Sequence, residues 1–117
     1  MTSYRDLIVW QKSMSLVTLI YQLVSVLPEN EKYGLTPQIK RSAISIPSNI
    51  AEGYGRNYKK DYARFLQIAR GSLFENQTQL EIAVNLNFIK STDLEVIKEL
   101  SIEVEKMLNS LIKKLEE

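Results

Sequence analysis

At 117 residues, with 44% hydrophobic and 25% charged residues, the chain has the size and composition of one folded domain, residues 1–117. It contains neither Cys nor His, which excludes disulfides, thiolate nucleophiles, imidazole bases, zinc clusters and Glu-x-x-His di-metal bundles. A formal net charge of +1 is too small for strong indiscriminate binding of a polyanion by a single chain.

The opening residues, Met1-Thr2-Ser3-Tyr4-Arg5-Asp6, have no basic region followed by an apolar run and a small-residue cleavage site. The first helix is expected from about Asp6 to Leu27. Leu7, Trp10, Met14, Val17, Tyr21 and Val24 alternate spacings of three and four and so form one stripe. Asp6 suits the positive end of the helix dipole, and Pro28 stops the other end. Leu16 to Leu27 is broken by Thr18, Gln22 and Ser25 and is too short to span a bilayer, so a cytoplasmic protein is expected.

After a polar connection from Glu29 to Leu35, Thr36-Pro37 reads as an N-cap followed by a first-turn proline. The second helix places Ile39, Ala43, Ile46 and Ile50 on one stripe. Pro47 in its interior deletes a backbone hydrogen bond and predicts a kink, and Gly53 and Gly55 are expected to end the helix. Asn57 is the expected cap of a third helix from about Tyr58 to Leu86. Its stripe is Tyr62, Leu66, Ala69, Leu73, Asn76, Leu80 and Ala83, widened by Phe65, Phe74, Ile82 and Val84. Gly71 in its middle costs about 1 kcal/mol relative to Ala and predicts close approach of another helix or subunit. Asn87 is placed to end the helix in the left-handed conformation.

Thr92 and Glu95 suggest a capping box for the last helix, whose inner face carries Leu94, Ile97, Leu100, Val104, Met107, Leu108, Leu111 and Leu115. No period-two alternation and no internal repeat is visible. The expected fold is all-α, an antiparallel up-down four-helix bundle with short loops.

Charge is unevenly spread. Residues 1–35 are neutral, residues 36–72 carry +5 and residues 73–117 carry −4. The middle segment holds Lys40, Arg41, Arg56, Lys59, Lys60, Arg64 and Arg70 against Glu52 and Asp61. Lys60, Arg64 and Arg70 are expected along one side of the third helix. Such a cluster can neutralise phosphates, and Tyr54 and Tyr58 beside Arg56 suit stacking on unpaired bases. The competing reading is a solvated face with local ion pairs such as Glu52 with Arg56. Ser42, Ser45, Asn49, Glu52 and Arg56 form a polar stripe on the second helix, read as a subunit interface or ligand-facing edge, or else as a solvated flank with Ser and Asn bonding backbone freed by Pro47. Glu75 near Arg41, Arg64 or Arg70 predicts a buried ion pair that fixes register. As a general acid or base Glu75 lacks a second reactive group, and Gly53-Tyr54-Gly55 is not a phosphate loop, since no Lys-Ser/Thr follows it.

Two stretches carry a family resemblance. One is Tyr4-Arg5-Asp6-Leu7 with Trp10-Gln11-Lys12. The other is Tyr33-Gly34-Leu35-Thr36, Gln38-Ile39 and Arg41, the run Ser45-Ile46-Pro47-Ser48-Asn49-Ile50-Ala51-Glu52-Gly53, and Gly55-Arg56. With Arg64-Phe65-Leu66, Ala69-Arg70, Ser72, Glu75 and Thr78-Gln79-Leu80, the chain resembles the four-helix-bundle proteins encoded in intervening sequences of bacterial 23S ribosomal RNA genes. Related proteins accompany the reverse transcriptases of diversity-generating retroelements.

The resemblance implies a homo-oligomer, a pentameric ring, with no established enzymatic activity; no cofactor is expected. In the retroelement relatives it implies binding of nucleic acid and of the reverse transcriptase. Asn57 and Tyr58 depart from the Gly and Ser usual after the Gly-Arg pair, and Asn87 from a usual Gly. Two functional readings stand side by side: an oligomeric module binding RNA or DNA, and an oligomeric adaptor binding a protein partner.

Overall fold

The structure, a computed structural model, describes residues 3–117. Met1 and Thr2, which open the stretch searched for a leader, lie outside the described residues. Four α-helices account for most of the chain: α1 (Ile8–Val24), α2 (Leu35–Tyr54), α3 (Lys59–Asn85) and α4 (Glu95–Glu116). Short 3-10 turns at Tyr4–Asp6, Glu29–Glu31 and Ser91–Leu94 punctuate the connections. Among the described residues there is no strand.

Each helix packs against its sequence neighbour, and α4 closes the ring against α1. Contacts between neighbours run in opposite directions. Along α2 and α3, Arg41 meets Glu75 while Ser45 meets Ser72; along α3 and α4, Gln67 meets Glu116 while Arg70 meets Asn109. The result is an antiparallel bundle measuring 44 × 25 × 21 Å. One cluster of buried apolar side chains from all four helices forms the core. No helix among the described residues is long and apolar enough to cross a membrane.

The helix ends differ from expectation in instructive ways. Asp6 belongs to the 3-10 turn rather than to α1, where it and Ser3 form a reciprocal cap: Ser3 N–H donates to Asp6 Oδ2 at 3.2 Å and Arg5 N–H to Ser3 Oγ at 3.1 Å. Helix α2 starts at Leu35, before the Thr36-Pro37 pair, because the Glu31 carboxylate accepts the Leu35 N–H at 2.9 Å. Pro37 then still falls in the first turn, where a missing N–H leaves no bond unmade. Helix α2 continues through the buried Pro47 without interruption. Asn57 does not cap α3, whose N-cap is Tyr58 with no side-chain hydrogen bond. Ahead of α4, Asp93 Oδ2 accepts the Lys90 N–H at 2.9 Å, in place of the expected pairing of Thr92 with Glu95. Asn87 is left-handed as expected (φ 62°). Phe88 N–H donates to Ala83 O and Asn87 N–H to Val84 O, both at 2.9 Å, the paired bonds of a Schellman ending.

The core stripe of α1 is rotated from the expected one. Val9, Ser13, Leu16, Ile20 and Val24 are buried, whereas Trp10 and Val17 are half-buried and Met14 and Tyr21 exposed. Ser13 is admitted because its hydroxyl donates to Val9 O at 2.7 Å and so carries no unmet polar need into the core. In α3, Phe74 and Ile82 face outward instead of widening the core.

Gly53 does not end α2, which runs on to Tyr54. It lies where α3 crosses: an added Cβ would sit 2.8 Å from Phe65 Cβ and 3.2 Å from Tyr62 O. Gly71 is the opposite case, since a Cβ there would meet nothing within 4 Å. The close approach expected at Gly71 is therefore not made by any of the described residues.

Candidate nucleic-acid interface

Antiparallel packing turns the uneven charge of the sequence into a difference between the two ends of the bundle. One end gathers the start of α1, the α2–α3 turn and the last turn of α4. There Arg56, Lys59, Lys60 and Arg64 from the basic segment are joined by Arg5, Lys113 and Lys114, against Asp6, Glu52, Asp61, Glu116 and Glu117. At the other end Glu29, Glu31, Glu81, Asp93, Glu95 and Glu99 outnumber Lys32, Lys40, Lys90 and Lys98. Sequence reasoning missed Arg5, Lys113 and Lys114, which lie far away in the chain; bundle topology alone brings them to this end.

The seven basic residues expected to form one surface divide into three groups. Arg56, Lys59, Lys60 and Arg64 come together at the α2–α3 turn. Lys40 and Arg41 lie near the opposite end of α2; Lys40 and Arg56 are about 24 Å apart along the helix at the rise of an α-helix. Lys40 Nζ sits 5.0 Å from the centre of the Tyr21 ring, and Arg41 Nη2 is 3.9 Å from Glu75 Oε2. That pair is solvent-exposed on both sides, so the expected buried ion pair at Glu75 is instead a surface contact of small energetic weight. Arg70, further along α3, donates to Asn109 Oδ1 of α4 at 2.8 Å, as Gln67 does to Glu116.

At the α2–α3 turn the cations are held by their neighbours. The Arg56 guanidinium lies 4.6 Å, and that of Arg64 5.0 Å, from the centre of the Phe65 ring. Arg56 also pairs with Glu52 one helical turn back, at 3.3 Å, as the local-pair reading expected. Lys59, Lys60, Arg64, Gln67 and Leu115 line a depression of about 600 Å³ together with Asp61 and Glu116. Where α2 and α3 meet, Tyr54 and Tyr62 lie edge to face at 6.1 Å. Burial, and secondarily Tyr54, pushes the Tyr62 phenol above its ordinary pKa.

The polar stripe of α2 is engaged with α3 of the same chain. Ser42 is buried and donates to Gln79 Oε1 at 2.7 Å, while Asn76 Nδ2 donates to Ser42 Oγ and to Ile39 O, each at 3.0 Å. Ser45 and Ser72 share a 2.8 Å hydrogen bond, and Asn49 Nδ2 donates to Ser45 O at 2.8 Å. Glu52 is exposed and holds Arg56. Ser42 and Ser45 thus bond across the α2–α3 seam of their own chain, where directional bonds fix which residues face each other. Asn76 Oδ1 and Ser101 Oγ are buried without a partner. No group of three or more Asp and Glu side chains suited to a metal ion occurs among the described residues.

Comparison with known proteins agrees with the architecture. A family model described as 23S rRNA-intervening sequence protein matches residues 5–110. Among solved structures, the chain is similar to a protein of unknown function from the S23 ribosomal protein family of Bacteroides thetaiotaomicron. The two share 31% sequence identity and a TM-score of 0.83, over 91% of this chain and 99% of that one. No curated protein matches.

Proposed function

Because the chain belongs to the 23S rRNA-intervening sequence protein family, we propose that it is a non-catalytic, self-associating cytoplasmic module that binds nucleic acid with the α2–α3 end of its bundle. The observation that carries this reading is the separation of charge. Arg56, Lys59, Lys60 and Arg64 converge on one end, away from the acidic opposite end. Cations gathered in this way displace counterions from several phosphates at once, which a scattered set of equal net charge does not do. Catalysis is left out because the sequence has no His or Cys to act as imidazole base or thiolate.

Self-association is supported by the outward face of α3. Ile68, Phe74 and Ile82 are each about two-fifths exposed around the uncovered Gly71. A mid-helix glycine costs about 1 kcal/mol, and none of the described residues exploits the space. A second copy packed closely there accounts for it. Several copies in one ring would align several basic ends, so that individually weak contacts multiply.

The test is fluorescence anisotropy of labelled RNA and DNA, single-stranded and duplex, titrated with the protein across salt concentration. Micromolar binding that weakens steeply with salt and disappears in the Arg56→Glu/Lys60→Glu double variant is expected. No binding at low salt refutes the reading. The adaptor reading is then preferred; it is favoured by Arg41 and Arg70, whose guanidinium groups are already engaged by Glu75 and Asn109.

A further inference from the structure

Tyr58 is 71% exposed at the turn between α2 and α3, on extended backbone (φ −117°, ψ 139°). It contributes nothing to the core, and its ring meets no aromatic or cationic partner among the described residues. Leaving so large an apolar surface in water is unfavourable unless something covers it. The turn around it is predominantly basic: Arg56 precedes it by two residues and Lys59 and Lys60 follow it directly, against Asp61 and the Arg56-bound Glu52, and Arg56 and Arg64 are steadied on Phe65.

A ligand matching both features must present a flat π face and negative charge within a few ångströms of each other. An unpaired nucleotide does so. A duplex offers the phosphates but keeps its base faces stacked inside the helix, out of reach of a tyrosine ring. Tyr33 provides an internal contrast. It is 90% exposed, but Lys32 already lies 5.6 Å from its ring centre, and Glu31 and Glu29 precede it by two and four residues. A bare ring in a positive setting therefore belongs to the α2–α3 turn.

We propose that Tyr58 is a stacking platform for an unpaired base of single-stranded nucleic acid, with Lys59, Lys60 and Arg64 holding the phosphates on either side. This rests on the nucleic-acid reading above and narrows it from polyanions in general to single strands. Stacking is indifferent to the sugar, so RNA and DNA strands are bound alike by this contact.

The experiment compares Tyr58→Ala, Tyr58→Phe and Tyr33→Ala with the full chain, by anisotropy on a labelled RNA strand, the DNA strand of the same sequence, and the DNA duplex. Tyr58→Ala is expected to weaken both single strands roughly ten- to a hundred-fold and to leave the duplex unchanged. Tyr58→Phe, which keeps the ring, and Tyr33→Ala should both bind as the parent does. Unchanged single-strand affinity in Tyr58→Ala, with binding abolished by Arg56→Glu/Lys60→Glu, overturns the stacking role while nucleic-acid binding stands. Equal losses on strands and duplex overturn it as well. No binding of any polymer by the parent chain overturns both.

Discussion

Replacing Gly53 with alanine pushes a methyl group into space that α3 already fills. The new Cβ would lie 2.8 Å from Phe65 Cβ, 3.0 Å from Tyr62 Cδ1 and 3.2 Å from Tyr62 O. Phe65 Cβ and the Tyr62 carbonyl are fixed to the α3 backbone, so neither can swing aside as a flexible side-chain tip would. The helix itself must shift, and the short turn from Gly55 to Tyr58 gives it little slack. Overpacking of this kind costs about 1–3 kcal/mol, here the upper half of that range because neither fixed atom can yield, while alanine recovers about 1 kcal/mol of helix propensity. The expected net loss is about 1–2 kcal/mol, a drop in Tm of roughly 4–10 °C. Urea melts followed by circular dichroism, at protein concentrations where light scattering shows one species, measure it. Gly71→Ala is the matched control, with open space at the same substitution, and should stabilise the isolated chain by up to about 1 kcal/mol. A Gly53→Ala variant as stable as the parent would refute the account of how α2 and α3 meet.

If a second copy packs on Gly71, the same Gly71→Ala chain should associate more weakly, and light scattering should report a smaller assembly. Ser42→Ala removes the partner shared by Gln79 and Asn76 in the buried seam, with an expected loss of about 1–3 kcal/mol in a denaturant melt. Asn87→Ala places a residue with a full Cβ penalty in the left-handed position and should cost about 1 kcal/mol by the same melt. For Tyr62 the folded chain holds its phenol proton more tightly than the unfolded chain does. Its contribution to stability is complete below the ordinary tyrosine pKa and is lost as pH rises through the higher folded value. Alkaline melts of Tyr62→Phe should show a shallower decline than those of the parent, and an unchanged slope would contradict the shift.

The helices were legible because four stripes at three/four spacing leave no other way to bury so many apolar groups. Ile39, Ala43, Ile46 and Ile50 are all fully buried. The errors fall where two stripes compete or where capping is a tertiary matter. Helix α1 has apolar residues around much of its circumference, and the buried face includes Ser13, which no hydrophobicity count would select. Glu31 caps α2 from the preceding turn, a role invisible in the Thr36-Pro37 pair. The basic segment was visible as composition, but its division was not. Only the antiparallel course of the helices shows that Lys40 and Arg56 stand at opposite ends and that Lys113 and Lys114 return to join Arg56. The sequence put the close approach at Gly71 and a helix end at Gly53, whereas the crossing lies at Gly53, a difference that depends on what stands across from each.

The order of the helices also bears on how the bundle assembles. Most of its partners are close in sequence, since α2 and α3 are joined by only Gly55 to Tyr58 and meet along a seam of hydrogen bonds. Closing so short a loop loses little chain entropy, so this hairpin is suited to act as the nucleus around which the transition state condenses. The α1–α4 contact spans nearly the whole chain and comes late, which leaves the inner faces of α1 and α4 exposed to water for longest during folding. Substitutions in the Ser42–Asn76–Gln79 cluster should therefore slow refolding, whereas those between Lys12 and Glu103 should chiefly hasten unfolding.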